Sequence, residues 1–365
     1  MRLLICAGGT GGGVYPALAV IQEKNNNPND AILWVGAEGG MEEALVKQAG
    51  LNYAAIPAAG IHGVSLRALP GNILKLWAGF FASLRILRKF KPDVLFFTGG
   101  YTAVPMALAG IRCPQLLFVP DIEPGLALKA LTAFADAIAV VTDQSRQYFP
   151  KKKRVVISGY PTRSGLQKWS REEAKERFSL SPVKPVLFVF GGSKGARSIN
   201  RAITANLEKL LTVCQIIHIT GEPDWEEVQQ VRTALDPAIA SDYHITPYLH
   251  EEMGAAFSAA DLVLSRAGAS TLGELPLFGL PAILVPYPYA WRYQKVNAEY
   301  LVSQNAAIML RDEEIGQRIG PIVTELMANR EKLNQMKKAM RELAVPDAAR
   351  NIALLLEELS VRKRK

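Results

Sequence analysis

Two glycine-rich runs carry the chemistry most readily read from this 365-residue chain. They are Gly8-Gly9-Thr10-Gly11-Gly12-Gly13 and Gly191-Gly192-Ser193-Lys194-Gly195-Ala196. Each follows a short apolar run, residues 3–7 and 186–190, and each leads into a helix-like stretch. A strand that ends in a loop almost without side chains lets backbone N–H groups and the positive end of the next helix approach an anion. Glycine can also simply end a strand or cap a helix, but two loops in this setting favour a phosphorylated substrate. Neither loop is an ordinary cofactor motif. The third glycine of a dinucleotide fingerprint falls on Val14, and no G-x-x-x-x-G-K-[ST] run occurs. There is no Asp-x-Asp pair and no His/Asp cluster with ligand spacing, so no metal and no cofactor is expected.

The elements that must position these loops alternate along the chain. Apolar strand-like runs at 3–7, 31–35, 54–56, 94–97, 115–119, 137–141 and 155–157 are separated by helical stretches. A second series follows at 186–190, 214–219, 243–246, 262–265 and 282–285. Such alternation predicts an α/β protein with parallel sheets covered on both faces. The length predicts two domains, 1–161 and 162–344, joined at Gly159-Tyr160-Pro161-Thr162. From Asp312 onward the pattern is helical, and the last helix, about 345–365, is expected to return to the first domain. Ligands of open α/β sheets sit beyond the carboxyl ends of the strands. The polar clusters there are therefore expected to share one cleft between the domains. Besides the glycine loops they are Thr98-Gly99-Gly100-Tyr101, Asp121-Ile122-Glu123, Arg163, the run from Ser265 to Glu274, and the run from Arg292 to Asn297.

Composition narrows the setting. A hydrophobic fraction of 49% and a charged fraction of 21% describe a globular protein with large cores. Cys6, Cys113 and Cys214 are scattered among apolar residues and read as reduced core thiols of a cytoplasmic protein. No secretion signal or membrane-spanning run is expected. The net charge of +8 accompanies no recognisable nucleic-acid module, so no nucleic-acid partner is expected. Residues 73–91 are more telling. At helical spacing Leu76, Trp77, Phe80, Phe81, Leu84 and Leu87 spread over one broad face, with Lys75, Arg85 and Lys89 toward the other side and Arg88 and Lys91 nearby. An apolar face with aromatics and a basic rim suits an anionic membrane surface; a core-packing helix with a solvated basic edge has the same pattern.

Four ordered motifs resemble the MurG family of glycosyltransferases. They are Gly8-Gly9-Thr10-Gly11-Gly12 with Pro16-Ala17-Leu18-Ala19, Thr98-Gly99-Gly100-Tyr101, Gly191-Gly192-Ser193-Lys194-Gly195-Ala196-Arg197, and Arg266-Ala267-Gly268-Ala269-Ser270-Thr271-Leu272-Gly273-Glu274. The resemblance spans nearly the whole chain. It implies a GT-B fold and inverting transfer of N-acetylglucosamine from UDP-N-acetylglucosamine to lipid I, undecaprenyl-pyrophosphoryl-N-acetylmuramyl-pentapeptide. The product would be lipid II of peptidoglycan synthesis, made at the cytoplasmic face of the cell membrane, with other cell-wall enzymes as further partners. The first domain would then bind acceptor and membrane, and the second the donor. Ser193 would contact the UDP part, Leu249 would present backbone to the uracil, and Thr271 would lie at the phosphates, within the stretch Ala269, Ser270, Thr271, Leu272 and Gly273. Glu274 would accept the ribose hydroxyls, Gln294 and Asn297 would contact the sugar, and Arg163 the donor phosphate. Thr10, Gly11 and Gly12 would cradle the acceptor pyrophosphate or close over the donor, beside the acceptor-side residues Gly13, Thr98, Gly99, Gly100 and Tyr101. Thr271 and Glu274 also have the T-x-x-E spacing of a helix capping box, which alone would explain both.

Three positions depart from the family pattern. Gly13 stands where a histidine is usual, Phe118-Val119-Pro120-Asp121 replaces a His-Glu-Gln-Asn segment, and Tyr293-Gln294 replaces a glutamine pair. An inverting transfer benefits from a base that takes the acceptor proton. Asp121 is the first candidate, placed after a strand and also next to the donor, and Glu123 the second; Asp121 could instead be a turn residue before Pro124-Gly125. Two alternatives stay open: a GT-B transferase with a different lipid acceptor, and a non-catalytic homologue that scaffolds cell-wall enzymes.

Overall fold

The computed structural model describes residues 1–8, 11–24, 30–59, 69–192, 195–289 and 291–361. The chain divides into two compact units, Met1–Arg163 with Val345–Lys365, and Ser164–Ala344.

In the first unit the chain runs β1 (Arg2–Cys6), α1 (Gly11–Lys24), β2 (Ala31–Ala37), α2 (Glu42–Gln48), β3 (Asn52–Ile56) and α3 (Leu69–Phe90). It continues through β4 (Val94–Phe97), α4 (Ala103–Ala109), β5 (Gln115–Val119), α5 (Leu126–Leu131), β6 (Ala137–Val140) and β7 (Val155–Ile157). The seven strands pair in the order β3-β2-β1-β4-β5-β6-β7, and every pairing is parallel. Every residue of β4, β5 and β6 is buried, as continuous apolar runs must be when helices cover both faces. One core gathers Leu4, Leu95, Phe97, Leu117, Ile138 and Met106.

The second unit holds α6 (Arg171–Arg177), β8 (Val186–Phe190), α7 (Arg197–Ala205), α8 (Leu207–Leu211), β9 (Gln215–Ile219), α9 (Trp225–Thr233), α10 (Pro237–Ala240) and β10 (Tyr243–Thr246). After these come α11 (Met253–Ala259), β11 (Leu262–Ser265), α12 (Thr271–Phe278), β12 (Ala282–Leu284), α13 (Trp291–Ser303), β13 (Ala307–Met309), α14 (Ile315–Ala328) and α15 (Arg330–Glu342). Its six strands, ordered β10-β9-β8-β11-β12-β13, are also all parallel. The three-residue strand β13 is too short to stand out in the sequence and exists because β12 pairs with it.

The helical reading beyond Asp312 resolves into α14, α15 and α16 (Ala348–Val361), broken at Asn329 and at residues 343–347. Asn329 is the N-cap of α15, its side chain accepting from Lys332 N–H. The helix α16 belongs to the first unit, packing on α1 and behind β4 and β5. Ile352, Leu356 and Leu359 are buried there. Arg154 donates twice to Glu358, at 2.8 and 2.6 Å, and Lys24 to Glu357 at 2.7 Å.

Candidate active site

In each unit the strand order reverses between two neighbours, β1 and β4 in the first, β8 and β11 in the second. Chains leaving such neighbours diverge, opening a crevice at the carboxyl edge where ligands of this architecture bind. Both glycine loops stand at these points.

In the second unit the loop after β8 closes tightly. Gly195 N–H donates to Gly192 O at 3.0 Å, and Gly195 has φ +73° with any Cβ placed 2.2 Å from Thr220 O. No side chain fits there, so the backbone lies directly against residues 220–221. Ser193 and Lys194 lie outside the described residues. Beside this loop, α12 starts after β11. Ser270 is its N-cap without a side-chain cap, and the Thr271 hydroxyl donates back to Gly268 O at 2.6 Å. Thr271 is thus the first helical residue, and the capping box that its spacing with Glu274 suggested is not formed. Glu274 is buried in the first turn.

Gln294 on α13 accepts Tyr287 N–H through Oε1 at 2.8 Å, which turns its amide N–H groups away from that contact. Asn297 is fully buried and donates to Ala267 O at 3.1 Å, so it holds the loop that carries Ala269 and Ser270. Leu249 follows β10 and is half-buried; its approach is fixed by Gly221 N–H to Pro247 O at 3.1 Å and by Thr246 Oγ1 to Tyr248 O at 2.9 Å.

Sequence reasoning gave Arg266 no role, yet it ties this edge together. Its guanidinium donates to Val285 O at 3.2 Å, to Ser198 Oγ at 2.8 Å and to Asp312, and it lies 5.4 Å from the Tyr287 ring. Four segments distant in sequence meet on it: the starts of α7 and α14's leading loop, and the ends of β11 and β12. The arginine was visible inside the fourth motif; its partners were not, because only folding brings them together.

In the first unit the Thr98 hydroxyl donates to Gly13 O at 2.6 Å. A Cβ on Gly13 would come within 3.3 Å of Thr98 Oγ1, so a larger residue at this position requires Thr98 to shift. Gly100 lies so close to Gly8 that a Cβ there would be 3.3 Å from its backbone. Beneath, the buried Glu42 carboxylate accepts Ala37 N–H at 3.0 Å and flanks Gly8, Gly36 and Gly40. Gly11, Gly12 and Gly13 open α1, and Tyr101 is exposed; Thr10 lies outside the described residues. Asp121 follows β5 and is partly exposed, whereas Glu123 is 3% exposed and paired with Lys129 Nζ at 3.0 Å. Arg163 stacks over the Tyr15 ring of α1 at 5.1 Å, within the first unit.

The helix α3 carries the basic-aromatic segment. Ser83 and Gly79 face inward, and Ala82, Ile86, Leu87 and Phe90 pack on the core. Leu76, Phe80 and Leu84 are half-buried, while Leu74, Trp77 and Phe81 are exposed together with Lys75, Arg85, Arg88 and Lys89. The aromatics and the bases therefore share the outer side, rather than lying on opposite sides as helical spacing suggested. Trp77, Phe80 and Phe81 form one ring cluster with centroids 5.6 to 6.5 Å apart. Among the described residues no helix is long and apolar enough to cross a membrane.

Known proteins share this arrangement along its length. Residues 3–140 match the glycosyltransferase family 28 N-terminal domain and residues 186–352 the glycosyltransferase family 28 C-terminal domain. A UDP-N-acetylglucosamine--N-acetylmuramyl-(pentapeptide) pyrophosphoryl-undecaprenol N-acetylglucosamine transferase of Desulforamulus reducens is 36% identical, covering 100% of both chains. One of the same name from Bacillus pumilus is 34% identical over 99% of this chain and 100% of its own. The chain belongs to the MurG family. A crystal structure of Acinetobacter baumannii MurG superposes with a TM-score of 0.76 at 28% identity, covering 98% of this chain and 99% of that one. The two parallel-sheet units of this MurG-family member are those of a GT-B glycosyltransferase.

Proposed function

We propose that this protein transfers N-acetylglucosamine from UDP-N-acetylglucosamine to lipid I, forming lipid II with inversion at the anomeric carbon. Full-length identity to transferases of that name carries the reading. The donor-side arrangement of the second unit supports it. UDP leaves with negative charge, which the positive N-terminal end of α12 and the loop after β8 stabilise. Glu274 accepts the ribose hydroxyls, the Gln294 amide donates to the sugar, and Leu249 backbone meets the uracil. Arg163 adds positive charge at the diphosphate. Asp121 takes the proton of the acceptor hydroxyl as its oxygen attacks the anomeric carbon and the bond to UDP breaks. The chain works peripherally at the cytoplasmic face of the membrane, with the outer side of α3 on anionic lipid.

The test is transfer of radiolabelled N-acetylglucosamine from its UDP donor to purified lipid I, with Asp121→Ala beside wild type. Labelled lipid II from wild type is expected, with turnover at least a hundred-fold lower in the variant, the scale of general base catalysis (about 10²–10⁴). Donor hydrolysis or binding without labelled lipid II would overturn the acceptor assignment. An Asp121→Ala enzyme of wild-type turnover would remove that residue from the chemistry.

A further inference from the structure

A buried chain of hydrogen bonds runs through the second unit beneath the donor loops. Tyr243 on β10 and His218 on β9 are fully buried, and Asn200 on α7 is 2% exposed. The Tyr243 hydroxyl lies 2.8 Å from His218 Nδ1, and Asn200 Oδ1 lies 2.9 Å from His218 Nε2. Asn200 Nδ2 donates to Thr220 O and to Asp224 Oδ2, both at 2.8 Å. Its Oδ1 is therefore the acceptor, His218 carries its hydrogen on Nε2, and Nδ1 accepts from the Tyr243 hydroxyl. Arg197 Nε completes the chain by donating to Asp224 Oδ1 at 2.9 Å. Burial drops the His218 pKa to about 3, so the ring stays neutral near physiological pH and this tautomer persists.

The chain ends on the stretch from which two donor-contacting segments hang. Thr220 O, held by Asn200, is the atom against which Gly195 is pressed. Thr220 N–H donates to Thr246 O at 3.0 Å and Gly221 N–H to Pro247 O at 3.1 Å, fixing the approach to Leu249. A shift of residues 220–221 would move the glycine loop and the Leu249 backbone together.

We propose that His218 is a positioning residue for the UDP moiety, setting the 220–221 backbone through Asn200 and so the relative placement of the second glycine loop and the Leu249 segment. This rests on the donor assignment above and adds to it the element that spaces its two halves. Asparagine alone does not suffice, because without the imidazole its Oδ1 and the Tyr243 hydroxyl would be buried without partners.

The experiment measures UDP binding by calorimetry and KM for both substrates, in wild type, His218→Leu, His218→Gln and Tyr243→Phe. His218→Leu is expected to weaken UDP about ten-fold, one hydrogen bond's worth, and to raise the donor KM in parallel, with the lipid I KM within about two-fold. His218→Gln should recover part of the UDP affinity, since its amide N–H can reach Asn200 Oδ1. Folded His218→Leu with wild-type UDP affinity, or with equal losses for both substrates, overturns the proposal. Should His218→Leu fail to fold, Tyr243→Phe carries the test: weaker UDP binding supports the chain, and unchanged binding overturns it. Wild type that fails to bind UDP overturns the donor assignment itself, whereas wild type that binds UDP but ignores lipid I leaves His218 untouched and removes only the acceptor.

Discussion

Thr271 and Glu274 have the spacing of a capping box, but the helix begins at Thr271, one residue earlier than that box requires. The Thr271 hydroxyl is spent on Gly268 O, and the Glu274 side chain sits in the first turn beside the loop that leads from β11. The proposed ribose contact places a ligand at this buried carboxylate. Glu274→Ala is expected to raise the donor KM roughly ten- to hundred-fold, the range for hydrogen bonds to a charged group. Thermal melting should move little. A large fall in melting temperature with unchanged donor KM would instead make the residue structural. Gly13 shows the other kind of residue-scale lesson. Its departure from the family pattern was readable in the sequence, while the reason it sits comfortably, the Thr98 hydroxyl packed against it, was not.

At the scale of elements, strands with apolar runs were legible, because β4, β5, β8 and β11 are buried on both faces and carry polar residues only at their ends, Gln115 and Ser265. Helix faces were less so. In α3 the spacing placed Trp77 and Phe81 with Leu84 and Leu87, yet the core takes Leu87, Ile86 and Phe90 and leaves Trp77 and Phe81 outside beside Arg85 and Arg88. A helix apolar over much of its circumference does not say which stripe its neighbours will cover. The exposed pair next to bases suits insertion into an anionic surface. Trp77→Ser with Phe81→Ser is expected to weaken binding to phosphatidylglycerol vesicles at least ten-fold, since burying either ring is worth about 1.5–3 kcal/mol. Co-sedimentation that matches wild type would rule this face out.

At the scale of the whole molecule, stability and chemistry separate along the strands. Asp261, just ahead of β11, accepts from Arg171 Nη2 at 2.7 Å, Val186 N–H at 3.0 Å and Lys337 Nζ at 3.2 Å. These groups come from α6, β8 and α15, at the opposite strand ends from the donor loops. Burial pushes the Asp261 carboxyl up, but Arg171, Lys337 and these hydrogen bonds outweigh it and hold it below the usual carboxylate value. The folded carboxylate therefore ionises more readily than the unfolded one. Its stabilisation is present above the unfolded pKa, about 3.9, and is lost as pH falls through the lower folded value. Asp261→Asn is expected to lower stability at neutral pH by about 2 kcal/mol, with the gap to wild type closing as acid protonates both states. Urea titrations across pH would read this out; a gap independent of pH would mean that charge is not what Asp261 contributes.

The sequence by itself determined the alternation of strand and helix, the two glycine loops, the four motifs and with them the family, because each depends on residues adjacent in the chain. Tertiary structure alone decided what braces those loops. Arg266 meets Ser198 and Asp312, and His218 meets Asn200 and Tyr243. A hydrogen bond between residues tens or hundreds of positions apart leaves no local period and no spacing to read. It exists only once parallel strands have brought their carboxyl ends to one edge.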